Sequence, residues 1–277
     1  MERYKLLMLL PAAILLLSLG YIGYLITGPG LQLDIDLKGG TQVSLDSSQP
    51  LDMANIEKLL SEYHPSVRSA RGLTGYTTII DVSAESNATG IIEALKAGGY
   101  SFDSYSSQTV GPALGASFFA QAQLALVLAF LFMAVAVFIV FRIPTPSFYV
   151  ILSAFADIVE AFAVSQFLGI KLSLATFTAL LLLIGYSVDT DILLTTRVLK
   201  SEGEINDKIR RAIKTGMTML ATTGVALIAL FVMNASSVMT QIASVLLIGL
   251  VFDVLNTWIT NAGLLRWYIE RKNRAVK

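Results

Sequence analysis

Asp157, Glu160, Asp189, Asp191 and Asp253 are five carboxyl groups set inside otherwise apolar runs. A carboxylate near the centre of a bilayer costs about 2.5–3.5 kcal/mol on insertion scales, so it needs water, a polar partner or a task. The chemistry open to such groups is uptake and release of protons. Asp157 and Glu160 stand at i and i+3 and share one helix face, and Asp253 has Asn256 one turn further on. Asp189 and Asp191 lie roughly 200° apart around a helix and cannot share a face. Asp189 aligns with Gly185, Ile192, Leu193 and Thr196, and less closely with Arg197. It sits about 13 Å below the inner border of its span. If Asp189 faces the bundle interior it is expected to exchange protons. At that depth its charge needs a partner or a water-filled cleft, and Arg197, two turns nearer the cytoplasm, is able to snorkel. Asp191 is expected to face a partner helix or headgroups. Acids can also serve only as hydrogen-bond glue between helices, but five of them over three helices favour a shared polar path.

Other chemistry finds no support. There is no Cys, hence no thiol chemistry and no Cys-based zinc site. No GxxxxGK[ST] stretch is present to cradle a nucleotide, and no GxGD turn to build an intramembrane protease. The single histidine, His64, precedes Pro65 and reads as a turn residue. The expectation is a protein that is not an enzyme and uses neither cofactor nor metal. Net charge is zero, so no basic excess points to nucleic acid.

The elements that carry these acids are membrane spans. The hydrophobic fraction is 55%, only 14% of residues are charged, and mean hydropathy is +0.68. Soluble domains carry nearly twice that charge. Apolar runs of about 20 residues, the length that crosses a bilayer, are predicted at Leu6–Ile26, Phe118–Phe141, Phe148–Leu168, Leu172–Val198, Met217–Val232 and Ile242–Leu265. The first follows Arg3 and Lys5 like a signal peptide, but "SLGYIGYL" offers no small-x-small cleavage site, so it reads as an uncleaved anchor. Short-loop Lys and Arg place both termini in the cytoplasm. Arg142, Arg197, Lys200, Lys208, Arg210, Arg211, Lys214 and the tail "RWYIERKNRAVK" then lie inside, and of the short outer loops only one carries a basic residue, Lys171.

Three regions follow: residues 1–27 as terminus and first span, 28–112 as an extracytoplasmic domain, and 113–277 as a five-helix bundle with a cytoplasmic loop at 199–216. The outer segment, up to about residue 117, alternates strand and helix signals. "LQLDID", "TQVSLD", "YTTIIDV" and "YSFDSYSSQTV" read as strands, with helices over Asp52–Tyr63 and Ala88–Ala97. The predicted fold is a six-helix polytopic membrane protein with one small α+β, ferredoxin-like domain between helices 1 and 2. Ile205, Ile209 and Ile213 predict a short amphipathic helix in the inner loop, against the lipid surface or solvated. Sequons at Asn87 and Asn234 fall on the outer side.

Three stretches carry a resemblance. "LDIDLKGGTQV" is similar to the D-x-x-GG signature of the SecD and SecF export proteins, "VGPALG" to an element that precedes their second span, and "IGYSVDTDILLTTRV" to their fourth-span motif. Order and spacing agree over the whole chain. The short outer domain and the "IGYS" opening resemble the SecF branch, and the end of the fourth span its archaeal members. The resemblance implies a resistance–nodulation–division superfamily protein that assists the Sec machinery in moving polypeptides across the cytoplasmic membrane, driven by protons. Its implied partners are a SecD-like six-span subunit, the Sec translocation channel, unfolded exported polypeptide and membrane lipid. It maps the fourth-span acid and arginine onto Asp189 and Arg197, although Asp189-Thr190 stands where bacterial relatives have Asn-Asp, and Thr196 where they have an acid. Gly39 and Gly40, with Gly111, Pro112 and Gly115, are read as turns or hinges of the outer domain. The alternatives are a homo-oligomeric exporter of small molecules or lipids, and a passive scaffold.

Overall fold

The computed structural model describes residues 3–71, 75–233 and 236–275. The sequon asparagine at 234 lies outside them. A short helix α1 (Arg3–Leu7) leads into α2 (Leu9–Thr27), whose apolar surface is exposed almost all round. The "LQLDID" stretch is not the expected strand. Asp34 caps a single helical turn, α3 (Ile35–Lys38), by accepting from the Ile35 N–H, and only Leu33 pairs, in an isolated parallel bridge with Leu172. An N-terminal Asp outcompetes the β-pattern here because its side chain satisfies a backbone donor that a strand would leave to a neighbour.

The sheet begins at β1 (Gly40–Ser47), followed by α4 (Met53–Leu59), β2 (Ser66–Arg71), β3 (Tyr76–Val82), α5 (Ala88–Ala97) and β4 (Ser104–Val110). All pairings are antiparallel, in the order β2-β3-β1-β4, with Val43 opposite Ile80 and Ser107. Alternation on β1 sends Val43 and Leu45 to a core shared with Ile56, Leu60, Ile91 and Leu95 of the helices. Gln42 and Ser44 point the other way. β3 and α5 match the sequence pattern, whereas β2, "SVRSAR", was missed because its two arginines break the apolar alternation.

Gly111 ends the domain and Pro112 opens α6 (Pro112–Phe141) at a position where its missing N–H costs nothing. The two glycine motifs meet here. Gly39 has φ +82°, and a Cβ on it would stand 2.7 Å from Pro112 Cα, while one on Gly115 would stand 2.7 Å from the Gly39 nitrogen. Gly39→Ala therefore meets both backbone strain and a clash with main chain. The expected result is a loss of about 2–4 kcal/mol, measured as a fall in the unfolding temperature of the detergent-purified chain.

The remaining helices are α7 (Pro144–Phe167), α8 (Leu174–Lys200), α9 (Ile205–Met233) and α10 (Ser237–Leu255). A π-helical segment, Asn256–Asn261, then leads into α11 (Ala262–Ala275). The inner-loop helix and the fifth span are one continuous α9, because nothing between Lys208 and Met217 breaks the helix. Among the described residues six helices are long and apolar enough to cross a membrane: Tyr4–Thr27, Pro112–Phe141, Pro144–Phe167, Leu174–Lys200, Ile205–Met233 and Ser237–Arg274. α7, α8 and α10 form the buried centre, packed through Val150, Ala154, Leu180, Leu183, Ile184 and Val245. Gly249 lets α10 approach α8, since a Cβ there would meet Leu183 at 2.6 Å.

Candidate functional site

α8 carries a buried ladder at helical spacing: Leu180, Leu183, Ser187, Thr190, Asp191, Leu194, Val198. Its middle is polar, and it faces the polar middle of α7 and the end of α10. There Asp157, Glu160, Asp191 and Asp253 are all fully buried. A buried carboxyl needs hydrogen-bond partners, and each of these has at least one.

Asn256 donates from its single amide nitrogen to Asp157 Oδ1 at 2.8 Å and to Glu160 Oε2 at 2.7 Å. Ser187 donates to the other Asp157 oxygen. Asp253 receives Thr190 Oγ1 at 2.9 Å and Thr257 Oγ1 at 2.9 Å. Thr190 also lies 2.8 Å from the Ser187 carbonyl, so the two halves of the network touch. Asp191 receives Asn261 Nδ2 at 2.7 Å. Among the described residues no Lys or Arg pairs with any of the four carboxyls. Glu160 Oε1 and Asp191 Oδ2 accept no hydrogen bond, which leaves two acceptor positions open inside the network.

The π-helical segment is what brings α10 to this arrangement. Asn256, Thr257 and Asn261 all reach carboxyls on α7, α8 and α10, while Trp258 between them packs its ring over Gly216 of α9. Widened helical turns of this kind recur at functional sites because they re-aim side chains that a regular helix would spread.

Of the acids singled out from sequence, the structure brings together Asp157, Glu160, Asp191 and Asp253. Asp189 and Arg197 are not among them. Asp189 is exposed on the opposite face of α8, in line with Thr178, Leu182 and Gly185, which are also exposed. Arg197 is half-buried, and its guanidinium lies 3.4 Å from Thr215 of α9. The expectation that Asp189 faces the interior of this bundle is thus not met, while Asp191 faces a neighbouring helical segment through Asn261. The physical reason is the ladder on α8: Asp191 continues the buried series from Leu183 and Ser187, and Asp189 does not. Ser187, Thr190, Thr257 and Asn261 were missed, and extending that ladder through its polar members is the signal that finds the first two.

Apolar layers close the network at both ends. Leu180, Leu183, Ile184 and Val245 lie on the side of the sheet domain, and Leu194, Val198, Ala212 and Leu265 on the other. A second polar region lies between the sheet and the bundle, a cavity of about 310 Å³ lined by Asp34, Asp36, Gln42, Gln108 and Gln241 among others. Burial pushes the Asp36 carboxyl above its ordinary range, and the neighbouring Asp34 adds to the shift. Among the described residues no group of three or more His, Cys, Asp or Glu side chains could hold a metal ion.

Comparison with known proteins follows this geometry. Residues 91–271 match the family model "Protein export membrane protein SecD/SecF, C-terminal". The chain is 42% identical over 283 aligned residues to the protein-export membrane protein SecF of Methanothermobacter thermautotrophicus, covering 98% of this chain and 94% of that one. It is 37% identical to the SecF of Methanocaldococcus jannaschii, over 97% of this chain and 96% of that one. For the SecF of Pyrococcus furiosus the values are 41%, 90% and 85%. The crystal structure of SecDF, a translocon-associated membrane protein from Thermus thermophilus, superposes with a TM-score of 0.77 at 19% identity. The match covers 97% of this chain but only 38% of that one, so this chain spans well under half of the neighbour's length. With six apolar helices and relatives of this kind along nearly its whole length, the chain is a multi-pass membrane protein that belongs to the SecD/SecF family of protein export membrane proteins.

Proposed function

We propose that this chain is an accessory subunit of protein export, assisting the passage of polypeptides across the cytoplasmic membrane, and that its buried carboxyl network carries protons that power the work. The observation that supports the reading most is the cluster itself: Asp157, Glu160 and Asp253 linked through hydroxyls and one shared amide, Asp191 held beside them by Asn261, and, among the described residues, no cation paired with any of the four. A purely structural polar core is better served by neutral pairs, because every buried ionisable group adds a desolvation cost. The names of the relatives supply the export context.

On this reading Asp157, Glu160, Asp191 and Asp253 are the relay, and Asp189 with Arg197 lies at its edge. Both termini are cytoplasmic, by the distribution of Lys and Arg in the short loops. The sheet domain is then extracytoplasmic and reads as ferredoxin-like, a β-α-β-β-α-β order with strands β4-β1-β3-β2 across the sheet. A SecD-like six-span subunit completes the body, the Sec channel and unfolded substrate are its working partners, and lipid surrounds it. Asp189 supports the partnership: a carboxyl on a bare helix face at membrane depth is stable only against protein or water.

The test is purification of the tagged chain in mild detergent with identification of what accompanies it. Recovery of a second six-span protein with an outer domain, with or without the Sec channel, is the expected result. Asp189→Leu should cut that recovery at least about tenfold while leaving the chain's own unfolding temperature within about 1 °C. Recovery of homo-oligomers alone would turn the reading towards an independent exporter.

A further inference from the structure

On the side of β2 and β3 the sheet faces the bundle across a hollow rather than through apolar packing. Between them lie the 310 Å³ cavity and a second pocket of about 180 Å³ lined by Arg68, Lys171, Ser237, Thr240 and Gln241 among others. What spans this hollow is a short chain of alternating charges. Lys171, in the turn between α7 and α8, places its ammonium 2.6 Å from Asp81 on β3 and 3.2 Å from Ser66 Oγ on β2. Arg68 on β2 lies 3.5 Å from the same Asp81 oxygen and 3.1 Å from Asp34. Beside this, the segment entering the domain and the α7–α8 turn exchange two backbone hydrogen bonds, Asp34 N–H to Leu172 at 2.8 Å and Leu172 N–H to Gln32 at 2.7 Å. Gln166, fully buried at the end of α7, accepts the Gln32 N–H at 2.9 Å.

The other attachment is of a different kind. α3 seats Leu37 against Ala122 and Phe177, and the main chains of Gly39, Pro112 and Gly115 touch. Apolar close packing of main chain resists sliding but tolerates small rotations about the contact, whereas an ion pair across a polar hollow is either made or broken. The two attachments thus differ as a pivot differs from a catch.

We propose that Lys171 is the catch: its bond to Asp81 holds the outer domain down on the bundle, and its release lets the domain rotate about the Gly39–Pro112–Gly115 joint. Lys171 follows the end of α7, which carries Asp157 and Glu160, and precedes α8, which carries Asp191. A shift of either helix along its axis moves the ammonium relative to β3 directly. In the proposed function this makes the α7–α8 turn the element that hands a change at the carboxyls to the outer domain. The catch itself does not rest on that function, only on the geometry of the contact.

The chain has no cysteine, so spin labels can be placed at Glu62→Cys on the outer domain and Met239→Cys at the start of α10, both exposed sites. Pulsed electron resonance on the full chain in lipid nanodiscs then reads the separation of domain and bundle. The parent should give one narrow distance distribution. Lys171→Ala should send an at least about tenfold larger fraction of molecules outside it, and Lys171→Arg should restore it. Asp81→Asn, made from the domain side, should widen the distribution as Lys171→Ala does. Unchanged distributions in both Lys171→Ala and Asp81→Asn would overturn the proposal and leave the export reading untouched, since no proton gradient or substrate enters the measurement. A catch that releases in the distances while export, measured alongside, is unchanged in every variant would instead fault the export reading alone.

Discussion

Asn256→Leu removes the two donors that serve Asp157 and Glu160 at once, and the expected result is a chain that unfolds about 10 °C or more below the parent in detergent. The reasoning is one of asymmetry. A hydrogen bond made in a protein interior contributes only about 1 kcal/mol net, but leaving a buried charged or polar partner unserved costs about 3–5 kcal/mol. Leu keeps the branched framework of Asn and is larger, so a cavity does not explain the loss. The control is the triple variant Asp157→Leu, Glu160→Leu, Asn256→Leu, in which no acceptor is left waiting. It should recover part of the lost stability, because no carboxyl is left unserved, while the Ser187 hydroxyl loses its acceptor. If the triple variant is no more stable than Asn256→Leu, the three residues do not act as one hydrogen-bonded unit.

Asp253→Asn carries the largest expected effect on function. Asp253 receives hydroxyls from Thr190 and Thr257, and it stands between the Asp157–Ser187 half of the network and the end of α10. An amide is nearly the same shape and keeps an oxygen for one hydroxyl, so stability should change by no more than about 1–2 kcal/mol. It cannot carry a proton through a relay. Removing a proton-transfer group costs typically two to four orders of magnitude in rate, so proton flux into vesicles should drop by about 100-fold or more. The vesicles hold the chain with the six-span protein proposed to accompany it, and export should fall with the flux. Flux close to parental would mean that Asp253 is a hydrogen-bond acceptor and nothing more.

The sequence revealed much of this molecule because membrane spans are set by length and apolarity alone. Each of the six runs became a helix, and the ends moved only where helix signals continue past the apolar run, as from Ile205 to Met217. β3 and α5 were legible for similar reasons, a β-branched run and a helix closed by Gly98-Gly99. β2 was not, since Arg68 serves the polar face of the sheet rather than its core.

The site was half legible. Apolar surroundings announce a buried acid, which is how Asp157, Glu160 and Asp253 stood out. They do not say which way a helix faces, and Asp189 and Asp191 differ only in that. The face is decided by α8 continuing its ladder of contacts with α7 and α10, which no single helix encodes. The Asn256 fork was invisible for another reason: it joins residues separated by 96 and 99 positions in the chain.

The π-helical turn at Asn256–Asn261 also limits how this gene can change. Such a turn holds one residue more than a regular helix needs over the same height. A change that let the sixth span close into an unbroken α-helix with every residue kept would remove the turn that absorbs this extra residue. Everything beyond would then turn by about 100° and shift by about 1.5 Å relative to Asp253. Asn261 would leave Asp191, and Arg266 would leave both Asn206 and the Tyr4 ring. In this span the widened turn, and not only the residues it carries, holds the register between Asp253 and Arg266.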